Sequence, residues 1–445
     1  MILLREEQFI LKIKVLLFVS ISLGFMLFYI VNSPYRLERV KKFLEFQLSL
    51  NSEKSHFKSK IITDEKTLAY SEKVYHLSLA SDGFTKEQLT QLLNEIDKVF
   101  PLNKKRVVAQ YIKKKYNKRE FIVLIYGLNT KNVSKMRTIL EEFLKDSSFK
   151  SKKQYFSFKL SGERRVYPYD EFLTPVIGYT HKYVNKNDLT YVKGVEGLEA
   201  FYNDARSDVG LNIDFNLQSM QENEVDRMKK NLSVYEVISI TIDPITFKVK
   251  AFASSNRYNP KNIKREDYQN LNIKAIRYLF EIGKLIEPID LVIKMQNLKD
   301  GYKKFGFYEK SGIDLKYEQT FDNKKLDQNT TQYKINFIQL VKMYAVLYGN
   351  GKIASPQIAK QNKELQRISV MSEENAKQLK DKLAGFFPQM KDYKLILDFR
   401  DYKRFASIYM KETIFKKQKL LQAYFIIDKV KLSKEEKQSE AAVKK

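Results

Sequence analysis

The sequence predicts an α+β protein with one N-terminal transmembrane helix, a first α+β unit, and a second unit in which a β-hairpin, helices and two later strands build one sheet. Three observations carry this expectation. The chain has 445 residues, whereas an ordinary domain holds about 100 to 200. Residues 15–31, VLLFVSISLGFMLFYIV, form an uncharged and mostly apolar run. From residue 60 onward, short runs rich in β-branched and aromatic residues alternate with segments whose apolar positions recur every three or four residues.

The apolar run is near the minimum length for a bilayer-spanning helix, and Lys12 and Lys14 extend it by snorkelling. A cleaved signal peptide would have a shorter apolar core and a small-residue cleavage site, but NSPYRLERVKK follows. Basic residues stand on both sides of the run, so the positive-inside rule does not set its orientation. Next, RLERVKKFLEFQLSL has the apolar spacing of a helical stalk. KVYHLSLA, RVVAQYIKKKY, EFIVLIYGL and QYFSFKL are expected as strands, with EQLTQLLNEIDKVF and VSKMRTILEEFLKD as amphipathic helices between them.

The second unit opens at VGLNIDFNLQSMQENEVDRMKK, a short strand passing into a helix. VISITIDPITFKVKAFAS reads as a β-hairpin turning at Asp243-Pro244, and YKLILDF and LLQAYFIID are expected to return to the same sheet. The expected organisation is an N-terminal segment at 1–14, a transmembrane helix at 15–32, stalk and first unit at 33–207, second unit at 208–430, and a charged, disordered tail at 431–445.

The formal net charge of +27 favours anionic surfaces, whether nucleic acid, lipid headgroups or a polyanionic wall. Its Lys and Arg residues are spread along the chain without a block of interleaved aromatics, so nucleic acid is not expected as a partner. With no cysteine there is no disulfide, thiolate metal site or cysteine nucleophile. His56, His76 and His181 are too scattered for a metal motif. Neither a cofactor nor a metal is expected.

RRVYPYDEFLTPVIGYT (164–180) followed by KGVEGLEAFYND (193–204) resembles the pedestal of class B penicillin-binding proteins. Arg165, Tyr167, Pro168, Gly178, Tyr179, Gly194, Gly197 and Glu199 match that family's signatures in order. The likeness continues through NIDFNLQSMQENEV, the 237–260 hairpin region, YKKFGFYEKSGIDLKYE, INFIQLVKMYAVLYGNGKIASP and RISVMSEENAKQLKDKL, covering about residues 60 to 430. Phe247 stands where the family usually has glycine. The resemblance implies a membrane anchor, a dimerisation-type pedestal and a penicillin-binding transpeptidase fold that acts on peptidoglycan outside the cytoplasmic membrane. GVEGLE and RVYP are closer to the division type than to the elongation type.

Active members of that family carry a serine nucleophile with a lysine three residues later, on one helical face. Here the corresponding segment is FEIGKLIEP: Phe280, Glu281, Gly283 and Pro288 fix the register, Lys284 takes the serine position and Glu287 the lysine position. No serine or threonine lies between Ser255 and Ser311 to replace the nucleophile. A nucleophilic lysine must be neutral, which a nearby carboxylate opposes, so Lys284 and Glu287 are expected to form a structural ion pair. The insert that holds the family's Ser-x-Asn motif is missing, since only IDLVIKMQNLKDGYKK separates Pro288 from Phe305. For the third motif, Lys-Thr/Ser-Gly-Thr, the best candidate is IYMKETIFKK, with Lys411 kept and Glu412 and Thr413 following.

Together the resemblance and these substitutions imply a trimmed transpeptidase-like fold, a central antiparallel sheet flanked by helices, with no catalytic residues: a single-pass inner-membrane protein, residues 1–14 cytoplasmic and its bulk periplasmic, acting as a noncatalytic scaffold of cell-wall synthesis or division. Membrane-embedded cell-wall polymerases or divisome proteins are its expected partners, with peptidoglycan as a further one. Two alternatives stand beside it: an active D,D-transpeptidase with unconventional residues, and a module that holds peptidoglycan noncovalently.

Overall fold

The computed structural model describes residues 57–81, 83–115, 121–146, 149–184, 189–325, 330–361, 365–383, 394–399 and 402–429. The expected transmembrane helix, stalk and tail lie outside them. No helix among the described residues is long and apolar enough to cross a membrane.

The N-terminal half runs β1 (Ile61–Ile62), β2 (Thr67–Ala80), α1 (Lys86–Asp97), α2 (Lys104–Lys115), β3 (Phe121–Asn129), α3 (Thr130–Phe143), β4 (Phe156–Val166), β5 (Thr180–Val184), β6 (Thr190–Gly194), α4 (Gly197–Phe201) and β7 (Val209–Gly210). Long β2 is the spine: β4 pairs antiparallel along one edge, and β1 and β3 pair with it on the other. Strand alternation places Leu77, Leu79, Ile122 and Leu124 on one face, where α1 adds Leu89, Leu92, Leu93 and Ile96 and α3 adds Val133, Met136 and Leu140. Thr85 caps α1 in a reciprocal capping box with Gln88, which fixes where that helix starts.

One element departs from expectation. RVVAQYIKKKY is helix α2, not a strand. The residues it buries are Val107 and Tyr111, four apart and therefore on one helical face. The Tyr111 hydroxyl then donates to the Phe84 carbonyl (2.8 Å) and accepts from the Phe84 N–H (2.7 Å). That paired contact requires the helical spacing.

The C-terminal half runs α5 (Phe215–Leu232), β8 (Glu236–Ile242), β9 (Val249–Ser254), α6 (Lys274–Arg277), β10 (Phe280–Glu281), α7 (Glu287–Met295), α8 (Gly301–Lys304), β11 (Lys334–Ile335), α9 (Phe337–Tyr348), β12 (Lys352–Ile353), β13 (Ile368–Ser369), α10 (Glu373–Leu383), β14 (Lys394–Phe399), β15 (Tyr402–Phe415) and β16 (Gln418–Ile427). Its seven-stranded sheet has the order β11-β10-β14-β15-β16-β8-β9. The expected hairpin is β8–β9, and YKLILDF and LLQAYFIID return to its sheet as β14 and β16.

Every residue of β8 is buried, because both faces of the sheet are covered. On one side Val225 of α5 packs with Val237, Ala253 and Tyr424. On the other lies α9, whose Phe337 ring stacks on Phe425 with centroids 5.2 Å apart. Apolar on nearly all sides, α9 is buried as such a helix must be. This larger core also takes in Ile61, Tyr167 and Leu198, so the base of the first half and the α9 side of the second half share one interior.

At the β8–β9 turn, Asp243 Oδ1 accepts from the backbone of Ile245 and Thr246, and Phe247 follows in the left-handed region at φ 58°. That conformation costs a non-glycine residue about 1–2 kcal/mol. The fully buried Phe247 ring contributes about 1.5–3 kcal/mol in return.

Candidate functional site

Strand β10, held between β11 and β14, delivers the segment that would carry a nucleophile. Gly283 follows at φ +53°, and a 3₁₀ turn over Gly283–Ile286 feeds into α7, with Pro288 in the helix's first turn. Leu285, Ile286, Ile289 and Val292 fix this turn in the core. The Tyr344 hydroxyl donates to the Leu285 carbonyl (2.8 Å), and the Ile282 N–H donates to the Tyr333 carbonyl (2.8 Å).

With its apolar residues turned inward, the segment turns Lys284 and Glu287 outward, and both are exposed. The expected ion pair between them is not formed, nor does either pair with another described residue. An exposed pair is worth only about 0.2–1 kcal/mol against side-chain entropy, too little to impose one geometry. Glu287 at the start of α7 is instead favoured by the helix dipole.

From α7 the chain passes through Asn297 (φ 44°) and Asp300 (φ 55°) into the single turn of α8 and on to Phe305. Beside this short connection Tyr302, Phe307, Tyr308 and Tyr333 pack ring against ring at 5.5–6.2 Å. The Tyr302 hydroxyl donates to Asp290 Oδ1 (2.9 Å). Burial first, and then that carboxylate, push the Tyr302 phenol up to about 12, and burial raises Tyr333 as well. These hydroxyls therefore stay protonated at neutral pH.

Lys411 and Thr413 are not brought to this segment. The neighbour of β10 is β14, with Phe280 opposite Leu397, and β15 lies one strand farther in. On β15, Ala406, Ile408 and Met410 face the core that contains Ile289 and Val292. Lys411 and Thr413, in the opposite phase, face α5. There Lys411 Nζ sits 3.3 Å from Glu224 Oε1 and over the Tyr424 ring.

The pedestal signatures are engaged throughout. Arg165 Nε donates to Glu199 Oε1 at 2.7 Å, joining the two motifs across the half, and Lys58 Nζ lies 3.3 Å from Glu199 Oε2. All three side chains are at most 2% exposed. Lys58 Nζ also donates to the Glu199 carbonyl (2.9 Å), and Arg165 Nη1 donates to the Lys58 carbonyl (3.3 Å). At Gly194 a Cβ would fall 1.8 Å from the Glu199 carbonyl oxygen, so glycine alone admits this approach. Sequence reasoning recognised these residues and missed their mutual contact.

Two other motif residues also prove to be structural. Asp314 accepts from the N–H groups of Ile358 and Ala359 (both 2.7 Å) and from the Tyr202 hydroxyl (3.0 Å), tying the two halves together; burial raises its pKa. Glu318 accepts from the Ser311 N–H (2.7 Å) and from Asn336 Nδ2 (3.0 Å).

Among the described residues no cluster of His, Asp and Glu could hold a metal. An open depression of about 660 Å³ lies against Tyr169, Phe172, Phe215 and Arg257, and none of its lining comes from the Lys284 segment.

A model of the penicillin-binding protein dimerisation domain matches residues 61–206, and one of the penicillin-binding protein transpeptidase domain matches residues 285–386. Solved structures share the fold at low identity. Penicillin-binding protein 2X from Streptococcus thermophilus aligns with a TM-score of 0.64 and 10% identity over 85% of this chain and 77% of its own. PBP2 from Helicobacter pylori, in complex with MreC, gives 0.55 and 14% over 84% and 93%. A peptidoglycan synthetase from Bifidobacterium adolescentis gives 0.55 and 13% over 83% and 90%. No curated protein matches the chain.

Proposed function

The chain belongs to the class B penicillin-binding protein family, and from that premise we propose that it serves peptidoglycan synthesis without acyl transfer, as a membrane-anchored scaffold. The observation that carries this reading is the nucleophile position. Lys284 is exposed, pairs with no described residue and is followed by Glu287, and no serine or threonine lies between Ser255 and Ser311 to take its place.

The scaffold role draws on the intact pedestal. In the Helicobacter pylori complex a related fold binds MreC. This chain is proposed to engage a membrane-embedded cell-wall polymerase or a division protein through its pedestal and its segment at 15–32, with its bulk on the periplasmic side of the inner membrane.

Covalent labelling with a fluorescent penicillin tests the loss of chemistry. The wild-type chain is expected to stay unlabelled, as is a Lys284→Ser, Glu287→Lys variant, beside a labelled active homologue. A stoichiometric adduct on the wild type would restore the active-transpeptidase reading. In cells lacking the protein, Lys284→Ala should restore growth and septum placement fully, while pedestal variants should not. No phenotype on deletion would sink the scaffold.

A further inference from the structure

The charged residues of α2 are all basic: Lys104, Lys105, Arg106, Lys113, Lys114 and Lys115. At about 100° per residue, Lys105, Ala109, Ile112, Lys113 and Arg106 fall on one arc, opposite the buried Val107 and Tyr111. All five are exposed. Lys104 is partly neutralised by Asp97 at 3.0 Å, but Lys105, Arg106 and Lys113 form no ion pair with a described residue. Apolar side chains stand in solvent on the arc and beside both helix ends: Ile112 at 39% exposure, Val99 at 50% and Phe121 at 52%.

We propose that the outward face of α2 docks on a bilayer surface containing anionic lipid. Charge complementarity selects an anionic occupant, and excludes a second copy of a chain that carries +27. The exposed apolar residues favour lipid over a soluble polyanion, because a bilayer offers an apolar phase beneath its phosphates. Ala109, small and central, lets the cations on either side approach a flat surface together. This inference goes beyond the scaffold reading, since it assigns a membrane contact to the folded pedestal rather than to the anchor.

Because the chain has no cysteine, a single introduced one gives a unique reporter. Ala109→Cys, labelled with an environment-sensitive dye, is placed in the full chain in phosphatidylcholine nanodiscs with or without phosphatidylglycerol. Nitroxide lipids serve as quenchers. Quenching is expected only with phosphatidylglycerol, and should vanish at about 1 M salt, where the Debye length is about 3 Å.

Each cation near an anionic surface is worth about fivefold in affinity, so Lys105→Gln with Lys113→Gln should lower the docked-to-free ratio about 25-fold. Both are exposed, so folding should be preserved. The proposal is overturned by equal quenching in neutral discs, by quenching that survives the double substitution, or by the same dye response to soluble polyphosphate without lipid. Ser22→Cys, in the expected transmembrane helix, should be quenched in every disc. If it is not, the anchor reading fails separately, and the Ala109 reporter is read with added vesicles of the two compositions.

Discussion

The pedestal signatures and the transpeptidase positions come from the same inherited pattern and have met opposite fates. Arg165 and Glu199 are buried and bound to one another across 34 positions of sequence. Lys284 and Glu287 are three positions apart, exposed, and pair with no described residue. The difference follows from what each residue would leave behind. Removing one member of a buried ion pair strands its partner in a low dielectric, whereas changing an exposed side chain strands nothing. Requirements of folding thus hold the first set in place, and only chemistry could have held the second.

The largest test of that contrast is Glu199→Ala. It removes the buried carboxylate that Arg165 and Lys58 share, and should cost about 3–5 kcal/mol in urea unfolding of the full chain in detergent. Next is Phe247→Gly, which restores the residue usual in the family. Losing a fully buried ring typically costs about 3–5 kcal/mol, and relief of the left-handed backbone returns about 1–2, so a net loss of about 1–4 kcal/mol is expected. Tyr111→Phe, which leaves the Phe84 N–H and carbonyl without their partner, should cost about 1–3 kcal/mol.

Lys284→Ala and Glu287→Ala should each shift stability by less than about 0.5 kcal/mol, and a loss comparable to that of Glu199→Ala would erase the contrast. The smallest effect belongs to His76. Burial lowers its pKa, so the unfolded chain binds a proton more readily than the folded one. Its contribution is therefore full above 6.5 and falls as pH drops toward the lowered folded value. Comparing thermal midpoints above and below that window for wild type and His76→Gln should show the dependence flattened in the variant.

Most of the C-terminal sheet was legible because its strands are continuous apolar runs closed by a turn with Asp-Pro chemistry, and those are local signals. α2 was misread because RVVAQYI has β-branched residues at its centre, and the deciding contact, Tyr111 to Phe84, is 27 positions away. Lys411 was misplaced for a related reason. A lysine on a strand advertises a motif, but which face of the sheet it points to depends on register, and the register is set by pairing with β16. The Lys284–Glu287 pair was inferred from spacing alone, and spacing says nothing about solvent. The Arg165–Glu199 contact was invisible because each half of it resembles an independent motif.

The Lys58 clamp bears on how the molecule carries load. Its backbone N–H donates to Glu163 Oε2 (2.9 Å), its carbonyl accepts from Arg165, and its ammonium rests on Glu199. Lys58 stands three positions before β1, so tension drawn from the N-terminal side reaches this knot before it reaches the strand. Pulling from the N-terminal side therefore strains the signature residues before it can peel β1 from β2. A network retained for folding would then double as a mechanical fuse, setting the force at which the pedestal yields to its tether.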